Sequence, residues 1–197
     1  MATLAELIAD VYTVTNRPDL VAETSLAVKK ATLKAHHSDF YSKDLFETAI
    51  EWSPVGYLQS FEYRSVIPRW RAFKYLRKYD AATATPSTFF TALTADQTVD
   101  GYGINKEDIC YVAGEMLEIR SSTQDSHMLL GCYLHPNLST EAFTSWIAVD
   151  HPYLIVYEAA ATIFNSVGMV EECNNLRRTE VAEQFRLLKQ ELAVSGE

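Results

Sequence analysis

Between Ser145 and Gly168 the chain reads S-W-I-A-V-D-H-P-Y-L-I-V-Y-E-A-A-A-T-I-F-N-S-V-G, and Glu158 is the one full charge between His151 and Gly168. Ile155, Val156, Ala159, Ala160, Ile163, Phe164 and Val167 recur at helical spacing and make a wide apolar face. Asp150 or His151 stands where a helix N-terminus is capped. Pro152 follows in the first turn, where a missing N–H breaks no intrahelical bond. Gly168 suits the left-handed residue that ends a helix, and Ala159-Ala160-Ala161 lets a second backbone approach closely. A segment this apolar needs cover on several sides. It therefore predicts the central helix of a bundle, and the rest of the chain must supply that cover.

The cover is legible at both ends. Thr3-Leu4-Ala5-Glu6 is a capping box, and Leu4, Leu7, Ile8 and Val11 follow on one helical face. That helix should stop by Asn16. A second helix is expected from Pro18 to about His37, with Ala22, Leu26 and Leu33 along one side and Val21, Val28 and Ala31 beside them. A last helix is expected from about Val170 to Val194, with Val181, Phe185, Leu188 and Leu192 as its stripe and a Glu183–Arg186 pair outside.

Between these ends the hydrophobic period becomes two-fold. Strands are expected at 48–52, 57–64, 108–112, 116–120 and 127–134, with a tight hairpin at Ala113-Gly114-Glu115. Residues 70–79 alternate strictly. Arg71, Phe73, Tyr75, Arg77 and Tyr79 fall on one face, and Ala72, Lys74, Leu76 and Lys78 on the other, which reads as wet. Thr94–Gly103 reads as irregular or a short helix. The expected fold class is α+β: a four-helix bundle of two N-terminal and two C-terminal helices, with a central antiparallel β-rich insertion. The divisions are 1–40, 41–138 and 139–197, forming one composite domain.

Composition narrows the function. The formal net charge is −9, from 17 basic and 26 acidic residues, which argues against a surface that grips nucleic acid through its phosphates. Cys110, Cys132 and Cys173 are an odd set without close spacing and read as reduced thiols. The first ten residues lack the basic start and apolar core of a secretory leader. No apolar run approaches the roughly 20 residues of a membrane span.

Catalytic and metal patterns give no candidate. His36-His37-x-Asp39 is the densest group of possible ligands, but adjacent histidines at a helix end point in different directions. Gly101-Tyr-Gly103 lacks the third glycine of a dinucleotide loop. No G-x-S-x-G, H-E-x-x-H or Walker pattern occurs. No enzyme, cofactor or metal is expected. Aromatic residues crowd the β region among Arg64, Arg69, Arg71 and Arg77. Tyr, Trp and Arg in company are interface composition, so Trp70, Arg71, Tyr75, Arg77 and Tyr79 are the candidate contact residues.

Three passages in order resemble the head-to-tail adaptors, or head-completion proteins, of short-tailed bacteriophages. The first is Leu4–Asp39, with its Asn-Arg-Pro-Asp turn and A-x-x-x-A-T-L-K-A-H. The second is Pro68-Arg-Trp-Arg-Ala-Phe-Lys-Tyr-Leu-Arg-Lys-Tyr-Asp80, followed by Tyr102-Gly-x-x-Lys-Glu-Asp-Ile-Cys-Tyr-Val-Ala-Gly114 and Leu117-x-Ile-Arg-Ser-Ser122. The third is Ser145-Trp-Ile-Ala-x-Asp-His-Pro152 with the two helices after it. The resemblance covers most of the chain and rests on packing and turn residues. It implies a structural virion protein in the neck between capsid and tail, assembled in the host cytoplasm. Such adaptors form a ring of twelve copies that binds the portal and a tail or nozzle protein. DNA passes through the channel without specific binding, and no membrane is involved. It further implies that Phe185, Leu188, Leu192 and Val194 of the C-terminal segment meet the portal, and that Trp70, Arg71, Tyr75, Arg77 and Tyr79 face the tail or a neighbouring copy. The alternatives are another virion component, such as a tail or nozzle subunit, and a soluble accessory protein or small enzyme.

Overall fold

A computed structural model describes residues 3–51, 58–94, 107–123 and 126–195. The chain is α+β and divides into two compact units. Residues 1–43 and 135–197 make a helical unit, and 44–134 make a β unit inserted between them in sequence. The expected strand residues Trp52 and Tyr57, and the expected irregular stretch after Thr94, lie outside the described residues.

In the helical unit α1 spans Leu4–Thr15, α2 Val21–His37, α4 Trp146–Asp150 and α5 Pro152–Ser166; α6 is Val170–Leu176 and α7 Ala182–Ser195. The short α3, Tyr63–Val66, belongs to the β unit. The capping box of α1 forms, with the Glu6 N–H donating to Thr3 Oγ1 at 3.2 Å and the Thr3 N–H donating to Glu6 Oε2 at 2.7 Å. Asn16 ends α1 at φ 53°. Gly168 closes α5 at φ 83°, a conformation that costs glycine no Cβ clash.

The central helix starts at Pro152 as expected, and a short helix, not expected, precedes it. Ser145 caps the short α4 by accepting the Ala148 N–H, and the chain breaks at His151 before Pro152 starts α5. His151 occupies the cap position without a side-chain cap bond. Helix α5 packs on α1, α2, α4, α6 and α7. Leu154, Ile155, Val156, Glu158, Ala159, Ala160, Ala161 and Ile163 are all buried, covering almost its whole circumference.

The buried side of α2 corrects the sequence expectation. Ala22 and Leu26 face solvent, and Thr24, Ala27, Val28, Ala31, Thr32, Ala35 and His36 face inward. Small residues on α2 meet the alanines of α5, so close backbone approach decides the face rather than side-chain size.

Glu158 is buried on α5. Its Oε1 receives Lys34 Nζ at 2.7 Å from α2 and an Arg177 guanidinium nitrogen at 3.3 Å. Arg177 begins a π-helical turn, Arg177–Val181, that joins α6 to α7. Such turns insert an extra residue into a helix.

In the β unit, β1 is Leu45–Glu51, β2 Leu58–Glu62, β3 Trp70–Asp80 and β4 Thr85–Phe89; β5 is Thr91–Ala92, β6 Ile109–Ala113, β7 Met116–Arg120 and β8 His127–Leu134. One sheet has the order β1-β8-β3-β4 and the other β2-β7-β6-β5. All pairs are antiparallel except β5 with β6, which is parallel. The β6–β7 hairpin turns at Gly114, φ 61°. Arg64, expected in a strand, lies in α3. Ile50, Leu76, Cys110, Leu117, Ile119, Met128, Leu130 and Cys132 form one core drawn from both sheets.

Strict alternation along β3 does not hold. Against β8, Phe73 pairs with Cys132, Tyr75 with Gly131 and Leu76 with Leu130, with register shifts at 70/72 and 73/75. Each bulge adds one residue and inverts the faces that follow. Phe73 and Leu76 therefore share the core side with Cys132 and Leu130, while Tyr75 and Arg77 lie on the opposite side. The face read as wet carries Leu76, which is 0 % exposed.

Candidate functional site

The side of the β1-β8-β3-β4 sheet turned away from that core carries an aromatic and cationic cluster. Gly131 of β8 leaves room for the Tyr75 ring to lie across the strand. A Cβ at Gly131 would meet that ring at 2.6 Å. Phe89 of the edge strand β4 stands edge-on to Tyr75, with ring centroids 5.6 Å apart. The Arg77 guanidinium covers Phe89 at 4.3 Å and donates through Nε to the Ser87 carbonyl at 3.2 Å. Lys74, lifted by the bulge, sits 5.6 Å from the Tyr133 ring centroid. Cations held over aromatic faces gain from the ring quadrupole and stay available for a further contact. Phe89 is 55 % exposed. Among the described residues neither Lys74 nor Arg77 has a carboxylate within ion-pair distance.

The five candidate residues of β3 separate on this geometry. Tyr75 and Arg77 come together on the exposed side. Trp70 points to the core and stacks on Tyr63 at 4.2 Å. Arg71 is nearly covered and pairs with the Asp44 carboxylate at 3.5 Å. Both are occupied within the unit and do not present a contact surface. Tyr79 lines an open concavity of about 460 Å³ with Lys78, Asp80, Ala81, Ala82, Ser87 and Ser126. Sequence reading missed Lys74, which alternation put on the other side, and Phe89, whose pairing with Arg77 crosses a turn that no local pattern specifies.

The C-terminal candidates also divide. Leu188 and Leu192 are buried in the helical core, and Phe185 packs against it. Only Val194 stands clear, at 90 % exposure. Leu192, one turn short of the helix end, reaches the core that α1, α2 and α5 share, so it is not free to meet a portal.

The histidines at the end of α2 have structural partners. His36 Nε2 and Ser145 Oγ lie 2.9 Å apart, and His37 Nε2 lies 3.2 Å from His135 Nδ1. The two adjacent histidines thus turn to different partners. Among the described residues, no three His, Cys, Asp or Glu side chains are grouped to hold a metal ion, and no helix is long and apolar enough to cross a membrane. Burial pushes the Cys110 thiol up to about 12 and the Cys132 thiol up to about 11, so neither is a thiolate nucleophile at neutral pH.

Beside the concavity, Asp108 ties β6 to β3. It accepts the Ser122 N–H at 2.8 Å and contacts Lys78 Nζ at 2.9 Å. Burial favours its neutral form, but the Ser122 N–H, Lys78 and the Ser122 hydroxyl outweigh burial and hold the carboxyl below its ordinary value. A carboxyl depressed on folding stabilises above its unfolded pKa, about 4, and that contribution is lost as pH falls through the folded value. Asp108→Asn is therefore expected to be less stable at neutral pH and to lose less on acidification. Urea midpoints at about pH 7 and about pH 3 check this; an acid loss equal to that of the parent protein would refute it.

No known protein-family profile matches the chain, and no curated protein matches it.

Proposed function

We propose that the chain is a structural virion protein, the head-to-tail adaptor of a short-tailed bacteriophage. The observation that carries this reading is the ordered resemblance of Leu4–Asp39, Pro68–Ser122 and Ser145 onward to that family. In this reading the helices form a four-helix bundle, counting α6 to α7 as one, and the bundle builds a ring of twelve copies under the portal. The inserted β unit turns its Tyr75 and Arg77 side toward the tail or a neighbouring copy. Val194 and the end of α7 are the portal contact, while Leu188 and Leu192 hold that helix to its own unit. The charge of −9 suits a channel wall, because like charge keeps a duplex from adhering. No reaction or cofactor enters this function.

Mass spectrometry of washed phage particles tests it. The chain should be present at a constant ratio to the portal, and labelling should place it between capsid and tail. Absence from particles sinks the reading. Presence at the tail tip would assign it to a nozzle subunit instead.

A further inference from the structure

One edge of the β unit is built to take another strand. Each sheet has two outer strands, β1 and β4 in one and β2 and β5 in the other. At three of them pairing is curtailed: β4 carries Pro86, β5 has two residues and β2 has five. The fourth, β1, differs. Its seven residues contain no proline and pair with β8 one for one, without a register shift. Among the described residues, no backbone group outside β8 bonds to it. About half of the N–H and C=O groups of an outer strand point away from its neighbour, so β1 presents an open template.

The side chains of β1 say which strand fits. Phe46, Thr48 and Ile50 lie opposite Cys132, Leu130 and Met128, on the core side. Ile50 is covered, but Phe46 is 40 % exposed, and no strand lies beyond it. Glu47, Ala49 and Glu51 lie on the other side, and all three are exposed. Neither glutamate has a Lys, Arg or His within ion-pair distance among the described residues. Arg77 shares that side, but β3 is two strands away, and its guanidinium is drawn over Phe89 on the far side. A second copy of β1 would bring two more glutamates to this side and no cation, which is unfavourable between paired strands. The glutamates thus guard the edge against its own kind and leave it open to a strand of opposite charge.

We propose that β1 accepts an extended segment of a partner protein as a fifth strand of its sheet. That segment carries two cationic residues four positions apart, which meet Glu47 and Glu51. Apolar residues alternate with them and extend the core over Phe46. Main-chain hydrogen bonds to the open edge supply the affinity, and the alternating side chains supply the selectivity. The proposal goes beyond the adaptor reading and does not depend on it.

A blocked nonapeptide, Thr-Val-Lys-Val-Thr-Val-Lys-Val-Thr, is the probe. Its pattern reads the same in both directions, so it fits parallel or antiparallel pairing. Fluorescence anisotropy of the labelled peptide follows binding to the full chain, and amide hydrogen exchange locates it. Exchange should slow at residues 45–51 and not in β4. The same peptide N-methylated from its third to its seventh residue keeps its side chains but has no central donors on either edge, and it should not bind. A counterpart with glutamate in place of lysine should bind at least about tenfold more weakly. On a variant combining Glu47→Lys with Glu51→Lys, that preference should reverse. Both positions are exposed, and a circular dichroism melt confirms that the variant is folded. The methylated peptide needs no variant and keeps the proposal falsifiable on the parent protein.

A lysine peptide that does not bind the parent protein at millimolar concentration overturns the proposal. So does binding that survives N-methylation, because the contact then runs through side chains alone. Protection on β4 in place of β1, or a charge preference that does not reverse, also overturns it. These failures leave the adaptor reading standing, because ring and portal contacts can use other surfaces. Absence from particles removes the adaptor reading whatever the peptide does.

Discussion

Leu76→Lys is expected to unfold the β unit, while Lys74→Leu, two residues away, changes stability by less than about 0.5 kcal/mol. Leu76 is fully covered, and its cluster is made of Met128, Leu130, Cys132, Leu117, Ile119 and other apolar side chains. An ammonium placed there loses its hydration with no carboxylate to meet it, at a cost of several kcal/mol. A unit of this size is held by roughly 5–10 kcal/mol, so the substitution removes most of its stability. Trp70, packed against this core, supplies a fluorescence signal for denaturant titration. If position 76 instead shared a solvent-facing side with Lys74, as unbroken alternation reads, it would tolerate lysine. A Leu76→Lys protein within about 1 kcal/mol of the parent would therefore discard the bulged register.

The second large effect concerns the buried carboxylate at the centre of the helical unit. Lys34→Ala and Arg177→Ala are each expected to cost about 1 kcal/mol or less, and the double replacement about 3 kcal/mol or more. Both cations bear on Glu158 Oε1. The Glu158 side chain is only 7 % exposed, and its Oε2 has no hydrogen-bond partner among the described residues. Either cation alone still compensates the charge. With both gone, an unpaired carboxylate remains in an apolar core, which is where large losses arise. The cations themselves are substantially exposed, so their own truncation removes little packing. Urea unfolding of the four proteins in the cycle measures the coupling. Small, additive losses would show that water reaches Glu158 and that the pair interactions are no stronger than ordinary surface ones.

The same two places show where local pattern stops being informative. The α5 stripe, the Thr3–Glu6 box, the Gly114 hairpin, β8 and the Val181, Leu188 and Leu192 stripe are all legible in the chain, because each depends on neighbours within one or two turns. A lone glutamate in the apolar run 152–167 is also visible there. What neutralises it is not, since Lys34 lies 124 residues earlier. The candidate face was half legible. Tyr75 and Arg77 share a side as expected, but alternation put Arg71 with them because period two assumes an unbroken strand, and composition alone added Trp70.

Residue periodicity and end signals by themselves determined that this chain makes apolar helices at both ends and strands between them, since backbone propensity and amphipathic spacing act over a few residues. Which side of α2 turns inward, which side of β3 meets the core and where Phe89 stands relative to Arg77 were decided only by the tertiary structure. The alanines of α5 select small residues on α2 by close approach. Two bulges against β8 bring Phe73 to the core side and lift Lys74 off it, and pairing across the 81–84 turn brings the edge strand's aromatic ring under a cation. Each is a packing choice between segments distant in sequence, where the free energy depends on the partner surface and not on the local pattern.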